Sequence, residues 1–123
     1  MLQGLRTVIY HAADLAAAKD WYTRALGVQP YFDQPFYVGF NIVGYELGLD
    51  PDPSSATGTG SSAIAYWGVA DVESALARLI ELGAIDRLGV QEVGGDIRMA
   101  SVTDPFGNVF GVIENPHFSL ESM

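Results

Sequence analysis

The chain contains no cysteine, so disulfide bonds, thiolate metal ligands and cysteine nucleophiles are all excluded. This absence is compatible with a reducing compartment, and we expect a cytoplasmic protein. Basic residues are also few: six Lys and Arg against fifteen Asp and Glu give a formal net charge of -9. Nucleic acids and anionic membranes attract proteins with a basic surface, so neither is an expected partner.

The chain also lacks any apolar run long enough to span a bilayer, which takes about 20 apolar residues in a helix. Residues 1–4 offer neither the basic nor the apolar region of a signal peptide, so we expect none. A chain of 123 residues is expected to form a single domain, residues 1–123. At this size it can bury about two-thirds of its unfolded surface and needs no disulfide.

What the sequence does contain is an internal repeat of two helical segments. Residues 14–27 (DLAAAKDWYTRALG) are echoed by residues 71–83 (DVESALARLIELG), which begin 57 positions later (71 minus 14). Each begins with an aspartate suited to cap a helix, continues with apolar residues at helical spacing, and ends at a glycine suited to the left-handed terminal position. The repeat therefore indicates two modules.

Strand-like segments surround both helices. Segments rich in β-branched and aromatic residues lie before and after each helix, at residues 5–11, 28–33, 36–42 and 45–50 in the first module and at 63–69, 84–93, 96–103 and 109–113 in the second. One module of this kind cannot close its own core. We therefore predict an α+β fold in which two paired βαβββ modules form a curved mixed sheet around a cleft.

The only low-complexity segment is DPDPSSATGTGSS at residues 50–62, whose composition is typical of a loop. It falls between the two repeats, so it is interpreted as the connection between the modules. The predicted organisation is module one at 1–50, a linker at 51–62, module two at 63–116 and a tail at 117–123.

Short pieces of the two modules match a known family in their order. They are Ala13-Asp14-Leu15, Trp21-Tyr22 and Leu26-Gly27 in the first module, and Val69-Ala70-Asp71-Val72, Leu82-Gly83 and Asp104-Pro105-Phe106-Gly107-Asn108 in the second. In this order they resemble the vicinal oxygen chelate superfamily, which contains glyoxalase I, bleomycin-resistance proteins and extradiol dioxygenases. The resemblance implies paired βαβββ modules, a curved sheet around a pocket and often a homodimer, which we expect here.

The resemblance also implies where a metal ion would be bound. Many enzymes of this superfamily hold one divalent metal through His, Gln or Glu on the first and last strands of the modules, and the matching positions here are Thr7, Gly48, Ile64 and Gly111. None of these residues is a usual ligand for such a metal. We therefore expect no metal and no other cofactor. This favours the metal-independent branch, in which the protein binds or sequesters a small, partly aromatic organic molecule, as bleomycin-resistance proteins are described as doing.

Strand alternation extends these four positions to a candidate ligand-binding set. Residues two positions apart on a strand share a face. The expected set also includes neighbouring aromatic and methionine side chains. The expected ligand-binding residues are Thr7, Ile9, His11, Phe36, Phe40, Glu46, Gly48, Ile64, Tyr66, Met99, Val109 and Gly111. By the same alternation Trp67 faces the helix layer, and Phe36 and Phe40 are compatible with either a ligand contact or a core position.

Two alternatives to simple binding remain open from the sequence. His11 and Glu46 would be the acid–base pair of a lyase, isomerase or dioxygenase of the glyoxalase type with an atypical site, if a facing carboxylate orients the imidazole. The same two residues are also compatible with a plain hydrogen bond. The second alternative is an accessory domain without a ligand. Homodimerisation is expected independently, because each module should leave exposed sheet edges.

Overall fold

The computed structural model describes residues 1–53 and 64–118, and the chain divides into two compact units, Met1–Ser62 and Ala63–Met123. Most of the expected linker and of the expected tail therefore lies outside the described residues. No helix within the described part of the chain has the length and hydropathy to cross a membrane.

The first unit contains one helix and a four-stranded mixed sheet. Its elements are β1 (Thr7–His11), α1 (Leu15–Leu26), β2 (Phe32–Gln34), β3 (Tyr37–Ile42) and β4 (Tyr45–Asp50). The strand order is β1-β4-β3-β2, with β1 parallel to β4 and the other neighbours antiparallel. The strand expected at 28–33 begins later, at Phe32, so most of that segment is the connection from α1 to the sheet.

The second unit repeats this plan with its second strand interrupted. Its elements are β5 (Tyr66–Gly68), α2 (Val72–Glu81), β6 (Ile85–Asp86), β7 (Gln91–Glu92), β8 (Arg98–Thr103) and β9 (Val109–Glu114). The strand order is β5-β9-β8-β6, and β7 also pairs with β8. The two mixed sheets, each accompanied by one helix, confirm the predicted α+β class.

Capping groups fix the ends of both helices as the repeat predicted. The Asp14 carboxylate accepts a hydrogen bond from the Ala17 N–H at 3.0 Å, and α1 ends at Gly27, whose φ of 72° is left-handed. At α2 the Asp71 carboxylate accepts from the N–H groups of Glu73 and Ser74 at 3.0 and 3.3 Å. These bonds satisfy backbone donors that a helix leaves unpaired at its start.

Each helix covers only one face of its sheet. In the first unit Tyr22 of α1 is fully buried and stacks on Tyr10 of β1 at 6.1 Å between ring centroids. Leu47 of β4 is also fully buried on this side. In the second unit Trp67 and Phe110 stack at 6.4 Å. Among residues 1–53 no helix covers the opposite face of the first sheet, and the candidate site lies there.

Candidate functional site

The open face of the first unit, defined as the sheet face opposite α1, is set by the register of three strands. Parallel pairing of β1 with β4 places Thr7 opposite Glu46 and Ile9 opposite Gly48. Antiparallel pairing of β3 with β4 places Gly39 opposite Gly48. Because paired residues share a face, these side chains project together, away from the buried side of the sheet.

A two-residue turn fixes the β3–β4 register. Val43 and Gly44 both have positive φ values, 51° and 92°, as a type I′ hairpin requires, and the Asn41 side chain accepts from the Gly44 N–H at 2.8 Å. A slip of one residue would send every side chain of the strand to the other face. The turn therefore determines that Glu46 and both glycines belong to the open face.

Three hydroxyl groups converge on the carboxylate of Glu46. Its Oε1 accepts hydrogen bonds from the Thr7 hydroxyl at 2.7 Å and from the Tyr37 hydroxyl at 2.6 Å. Its Oε2 accepts a third hydrogen bond from the Tyr31 hydroxyl. We call Thr7, Tyr31, Tyr37 and Glu46 the hydroxyl cluster. All three donors are uncharged, so the cluster keeps a net negative charge when Glu46 is ionised.

Two glycines allow the tyrosine rings to reach Glu46 across the sheet. A Cβ atom at Gly39 would lie 3.0 Å from Glu46 Oε2 and 3.2 Å from Tyr31 Cε1. A Cβ atom at Gly48 would lie 2.5 Å from Tyr37 Cζ, closer than non-bonded atoms approach. Glycine within a strand is typical of such a close approach, and here the approaching group is the protein's own phenol ring.

The hydrogen bonds of the cluster shift the pKa values of its members in opposite directions. Burial raises the pKa of Glu46, but the hydrogen bonds from Tyr31, Tyr37 and Thr7 together outweigh burial and lower it. Burial and the hydrogen bond to Glu46 raise the pKa of Tyr37 to about 12, and the hydrogen bond to Glu46 raises the pKa of Tyr31. At neutral pH the cluster therefore holds one anion and two neutral phenols.

The pKa of Tyr37 provides a test of this geometry. In Glu46→Gln the carboxylate charge is lost, so we expect the Tyr37 midpoint to fall from about 12 toward the ordinary tyrosine value of about 10. By linkage, the raised pKa stabilises the fold below about pH 10, and this contribution is lost as the pH rises through about 12. Alkaline titration of isotope-labelled tyrosine by NMR measures the midpoint.

Asp20→Asn is the matched control for this titration, because it removes an acidic charge from the exposed surface of α1, where Asp20 pairs with Arg24 at 3.3 Å. It should leave the Tyr37 midpoint unchanged. An unchanged midpoint in Glu46→Gln would contradict the hydrogen bond between Tyr37 and Glu46.

The strand register does not bring His11 next to Glu46. Glu46 lies opposite Thr7, whereas His11 lies opposite Asp50 at the other end of β1. His11 lies four positions after Thr7 on the strand, a distance of about 13 Å at a rise of about 3.3 Å per residue. The two side chains share a face but not a hydrogen bond, and the partners of Glu46 are the members of the hydroxyl cluster.

The two phenylalanines that the sequence left undecided fall on different sides of the structure. Phe40 is 0% exposed and lies opposite Leu47 under α1, so it takes the core position that the sequence left open. Phe36 is 65% exposed and packs edge-to-face against Phe32 at 6.1 Å. Phe36 therefore belongs to the accessible aromatic surface beside the open face.

Sequence reasoning left Tyr37 and Phe32 out of the candidate set, although both contribute to this face. Phe32 lies opposite Gly39, and its ring is 6.1 Å from that of Tyr37. The pattern Tyr-x-Gly at 37–39, next to Glu-x-Gly at 46–48, places large and small residues alternately on one face. That signal was readable once the hairpin register was known, because only the register brings the Tyr37 ring over Gly48.

The second unit has a similar tyrosine-over-glycine contact. Tyr66 lies opposite Gly111, and a Cβ atom at Gly111 would lie 2.5 Å from Tyr66 Cδ1. Two other expected site residues, Met99 and Val109, are half-buried on β8 and β9 and lie opposite Ile113 and Thr103. Thus Tyr66, Met99, Val109 and Gly111 share the face opposite α2.

Ile64 precedes β5 and is 36% exposed. Ser101, which sequence reasoning did not consider, is buried on the face opposite α2 and is paired with Gly111. Its hydroxyl accepts a hydrogen bond from the Arg87 guanidinium at 2.9 Å.

The positions at which the resemblance implies metal ligands do not fit a metal ion here. The Thr7 hydroxyl donates to Glu46, while the Tyr37 and Tyr66 rings occupy the space above Gly48 and Gly111. Within residues 1–53 and 64–118 no group of three or more His, Cys, Asp or Glu side chains is placed to hold a metal ion. Imidazole and carboxylate donors are what Mn, Fe, Ni and Zn sites require.

Two cavities lie away from the hydroxyl cluster. A cavity of about 400 Å³ borders α1 and β2, where Lys19 and Asp33 form an ion pair at 3.0 Å. A cavity of about 380 Å³ in the second unit is lined by Arg98 and by three acidic residues, Glu92, Asp96 and Glu114. Arg98 forms ion pairs with Glu73 and, at 3.8 Å, with Glu92.

Comparison with known proteins places the fold in one family. The model of the Glyoxalase/Bleomycin resistance protein/Dioxygenase superfamily matches residues 4–112. A glyoxalase/bleomycin resistance protein/dioxygenase family enzyme from Burkholderia phytofirmans PsJN is similar at a TM-score of 0.74 and 20% identity, over 88% of this chain and 95% of that chain. A glyoxalase-related enzyme from Fulvimarina pelagi is similar at a TM-score of 0.72 and 22% identity, over 94% of this chain and 90% of that chain.

A third similar structure is lactoylglutathione lyase from Agrobacterium tumefaciens, with a TM-score of 0.68 and 20% identity over 92% of this chain and 94% of that chain. Curated protein sequences gave no match. At these identities the solved structures support the fold, and the family match covers most of the chain. The chain belongs to the glyoxalase/bleomycin resistance protein/dioxygenase superfamily.

Proposed function

We propose that this protein binds a small, partly aromatic organic molecule on the open face of its first unit, without a metal ion. The observation that carries the proposal is the Tyr37 ring over Gly48, a position where the family resemblance implies a metal ligand. Instead of a coordinating side chain, this position has a phenol that donates to Glu46. The face therefore offers hydrogen-bonding groups and rings as its means of recognition.

Exposed aromatic side chains support an aromatic ligand. Tyr31 and Phe36 are more than half exposed, and Phe32 is 38% exposed at the edge of the same sheet. Large apolar side chains that remain accessible close to a few polar groups are typical of small-molecule sites. The Glu46 carboxylate supplies the polar part, and the neighbouring rings supply flat surfaces on which a ligand ring can stack.

Binding accounts for this arrangement better than acid–base catalysis does. A general base needs its partner groups within hydrogen-bond reach, and His11 lies about 13 Å along the strand from the residue opposite Glu46. The lowered pKa of Glu46 also makes it a weaker base than an ordinary carboxylate. Both features suit a fixed anionic anchor.

Homodimerisation and a cytoplasmic location belong to the same proposal. The first sheet ends at β1 and β2 and the second at β5 and β6, so within the described units these strands leave backbone groups unpaired along one side. Edges of this kind commonly pair with another chain. A second copy of the chain would satisfy them.

Metal analysis and ligand mapping test the proposed function together. We expect protein purified without chelator to contain well below one equivalent of any transition metal. We also expect small aromatic compounds to shift the amide NMR signals of the open face, including those of Gly39, Glu46 and Gly48. A tightly held stoichiometric transition metal would overturn the proposal, as would compounds that shift only signals outside this face.

A further inference from the structure

We propose that the ligand of the open face is an organic cation, with its positive charge held by Glu46 and its apolar part against the rings of Tyr31, Tyr37 and Phe32. This inference rests on the proposed function and specifies the chemical class of its ligand. An amine or quaternary ammonium group attached to an aromatic or apolar body has the required chemistry.

The first support is a negative charge that the described residues leave without a cationic partner. Glu46 accepts hydrogen bonds from three neutral hydroxyls, and none of the ion pairs among residues 1–53 and 64–118 includes it. Arg6 directly precedes β1, but its guanidinium donates to the backbone oxygen of Gln3 at 2.8 Å. Partly buried carboxylates usually gain a cation as a partner, so Glu46 is suited to take one from a ligand.

The second support is acceptor capacity that remains on the carboxylate. An ionised carboxylate has about four lone-pair sites on its two oxygens. Oε1 accepts two hydrogen bonds, from Thr7 and Tyr37, whereas Oε2 accepts one, from Tyr31. One acceptor site on Oε2 is therefore left for a donor from a ligand. It lies beside Tyr31, which is 62% exposed.

The third support is the group of aromatic rings around this charge. Phe32 lies with its ring 6.1 Å from those of both Tyr37 and Phe36. The Tyr31 and Tyr37 rings lie over Gly39 and Gly48, and their hydroxyls reach Glu46. Ring faces attract cations, by about 0.5–2 kcal/mol per contact depending on desolvation. Rings alone would also accept a neutral ligand, but rings around an unpaired carboxylate favour a cation.

The experiment compares three soluble probes that share a benzyl group and differ in charge. They are benzyltrimethylammonium, which is cationic, benzyl alcohol, which is neutral, and phenylacetate, which is anionic. Each is titrated into the isotope-labelled chain of 123 residues at one ionic strength and followed by amide NMR. We expect the cation to shift the signals of Gly39, Glu46 and Gly48 and to bind at least tenfold more tightly than benzyl alcohol, and phenylacetate to bind most weakly.

Two matched variants distinguish the effect of the Glu46 charge from the effect of the protein's net negative charge. Glu46→Gln and Asp20→Asn each remove one negative charge, but Asp20 lies on α1, which covers the other face of the sheet. We expect Glu46→Gln to reduce cation affinity about tenfold and Asp20→Asn to leave it within twofold. Equal losses in the two variants would show that the net charge of -9 attracts the probe, and would overturn the inference.

Substitutions at Tyr31 keep the test decisive if Glu46→Gln disturbs the fold, because this side chain is 62% exposed. Tyr31→Phe keeps the ring and frees an acceptor site on Glu46, so the cation should bind at least as tightly as to the wild type. Tyr31→Ala removes the ring and should weaken binding several-fold. Equal losses of cation affinity in Tyr31→Phe and Tyr31→Ala would contradict a role for the Tyr31 ring.

The probes also distinguish failure of the inference from failure of the proposed function. If benzyl alcohol or phenylacetate binds the open face as tightly as the cation, and Glu46→Gln has no effect, the cation inference is wrong while binding on this face stands. If no probe of any charge shifts signals on this face, the result contradicts both.

Discussion

The Phe40→Ala variant is expected to lose about 3–5 kcal/mol of unfolding free energy, the range for removing a fully buried aromatic side chain. Phe40 is 0% exposed and lies opposite Leu47, which is equally buried under α1. The loss combines the apolar surface returned to water with the cavity left among side chains that cannot collapse fully. Urea denaturation followed by circular dichroism measures the change.

Phe36→Ala is the matched control, since it removes the same side chain four residues earlier, at a position 65% exposed. We expect this variant to lose less than about 1 kcal/mol. Its effect should instead appear as weaker binding of aromatic ligands at the open face. Similar stability losses in the two variants would contradict the placement of Phe40 in the core and of Phe36 on the surface.

Asp104→Ala should have the second large effect, a loss of about 2–4 kcal/mol of unfolding free energy, because it leaves two partly buried backbone donors without their acceptor. Asp104 is 3% exposed, and its Oδ1 accepts from the N–H groups of Phe106 at 2.9 Å and Asn108 at 2.7 Å. These bonds hold the turn between β8 and β9, where Gly107 has a φ of 91°. Denaturation by urea again provides the measurement.

Asp104→Asn distinguishes the acceptor from the charge. The asparagine keeps the Oδ1 that receives both backbone hydrogen bonds, and replaces Oδ2, which accepts from the Asn108 side chain at 3.1 Å. We therefore expect a loss of less than half that of Asp104→Ala. If Asp104→Asn and Asp104→Ala lose the same unfolding free energy, the stabilisation comes from the negative charge and not from the two backbone hydrogen bonds.

Gly48 and Gly111 carry no coordinating side chain, and each makes room for a tyrosine ring, Tyr37 and Tyr66 respectively. The space beside each glycine is thus filled by a phenol of the protein itself. In the first unit the phenol hydroxyl then holds a carboxylate in its ionised form, which is the basis of the proposed cation recognition.

Local interactions allowed the sequence to determine the element order. Asp14 and Asp71 start the helices by accepting from nearby N–H groups, and Asp104 initiates the turn by the same means. Apolar spacing identified the helices between these signals, and alternation assigned Thr7, Glu46 and Gly48 correctly to one face. These features depend on residues close together in the chain, so a pattern in the sequence is sufficient to predict them.

Only the tertiary structure decided which residues of that face meet. Alternation assigns a face but not a position along it, so His11 and Glu46 looked adjacent although the register separates them by four residues. The register of β3 with β4, which the turn at Val43 and Gly44 fixes, carries the Tyr37 ring across Gly48 to Glu46. It also places Phe40 opposite Leu47 under α1. Pairing between strands distant in the chain is set by the packing of the whole unit, which no local pattern encodes.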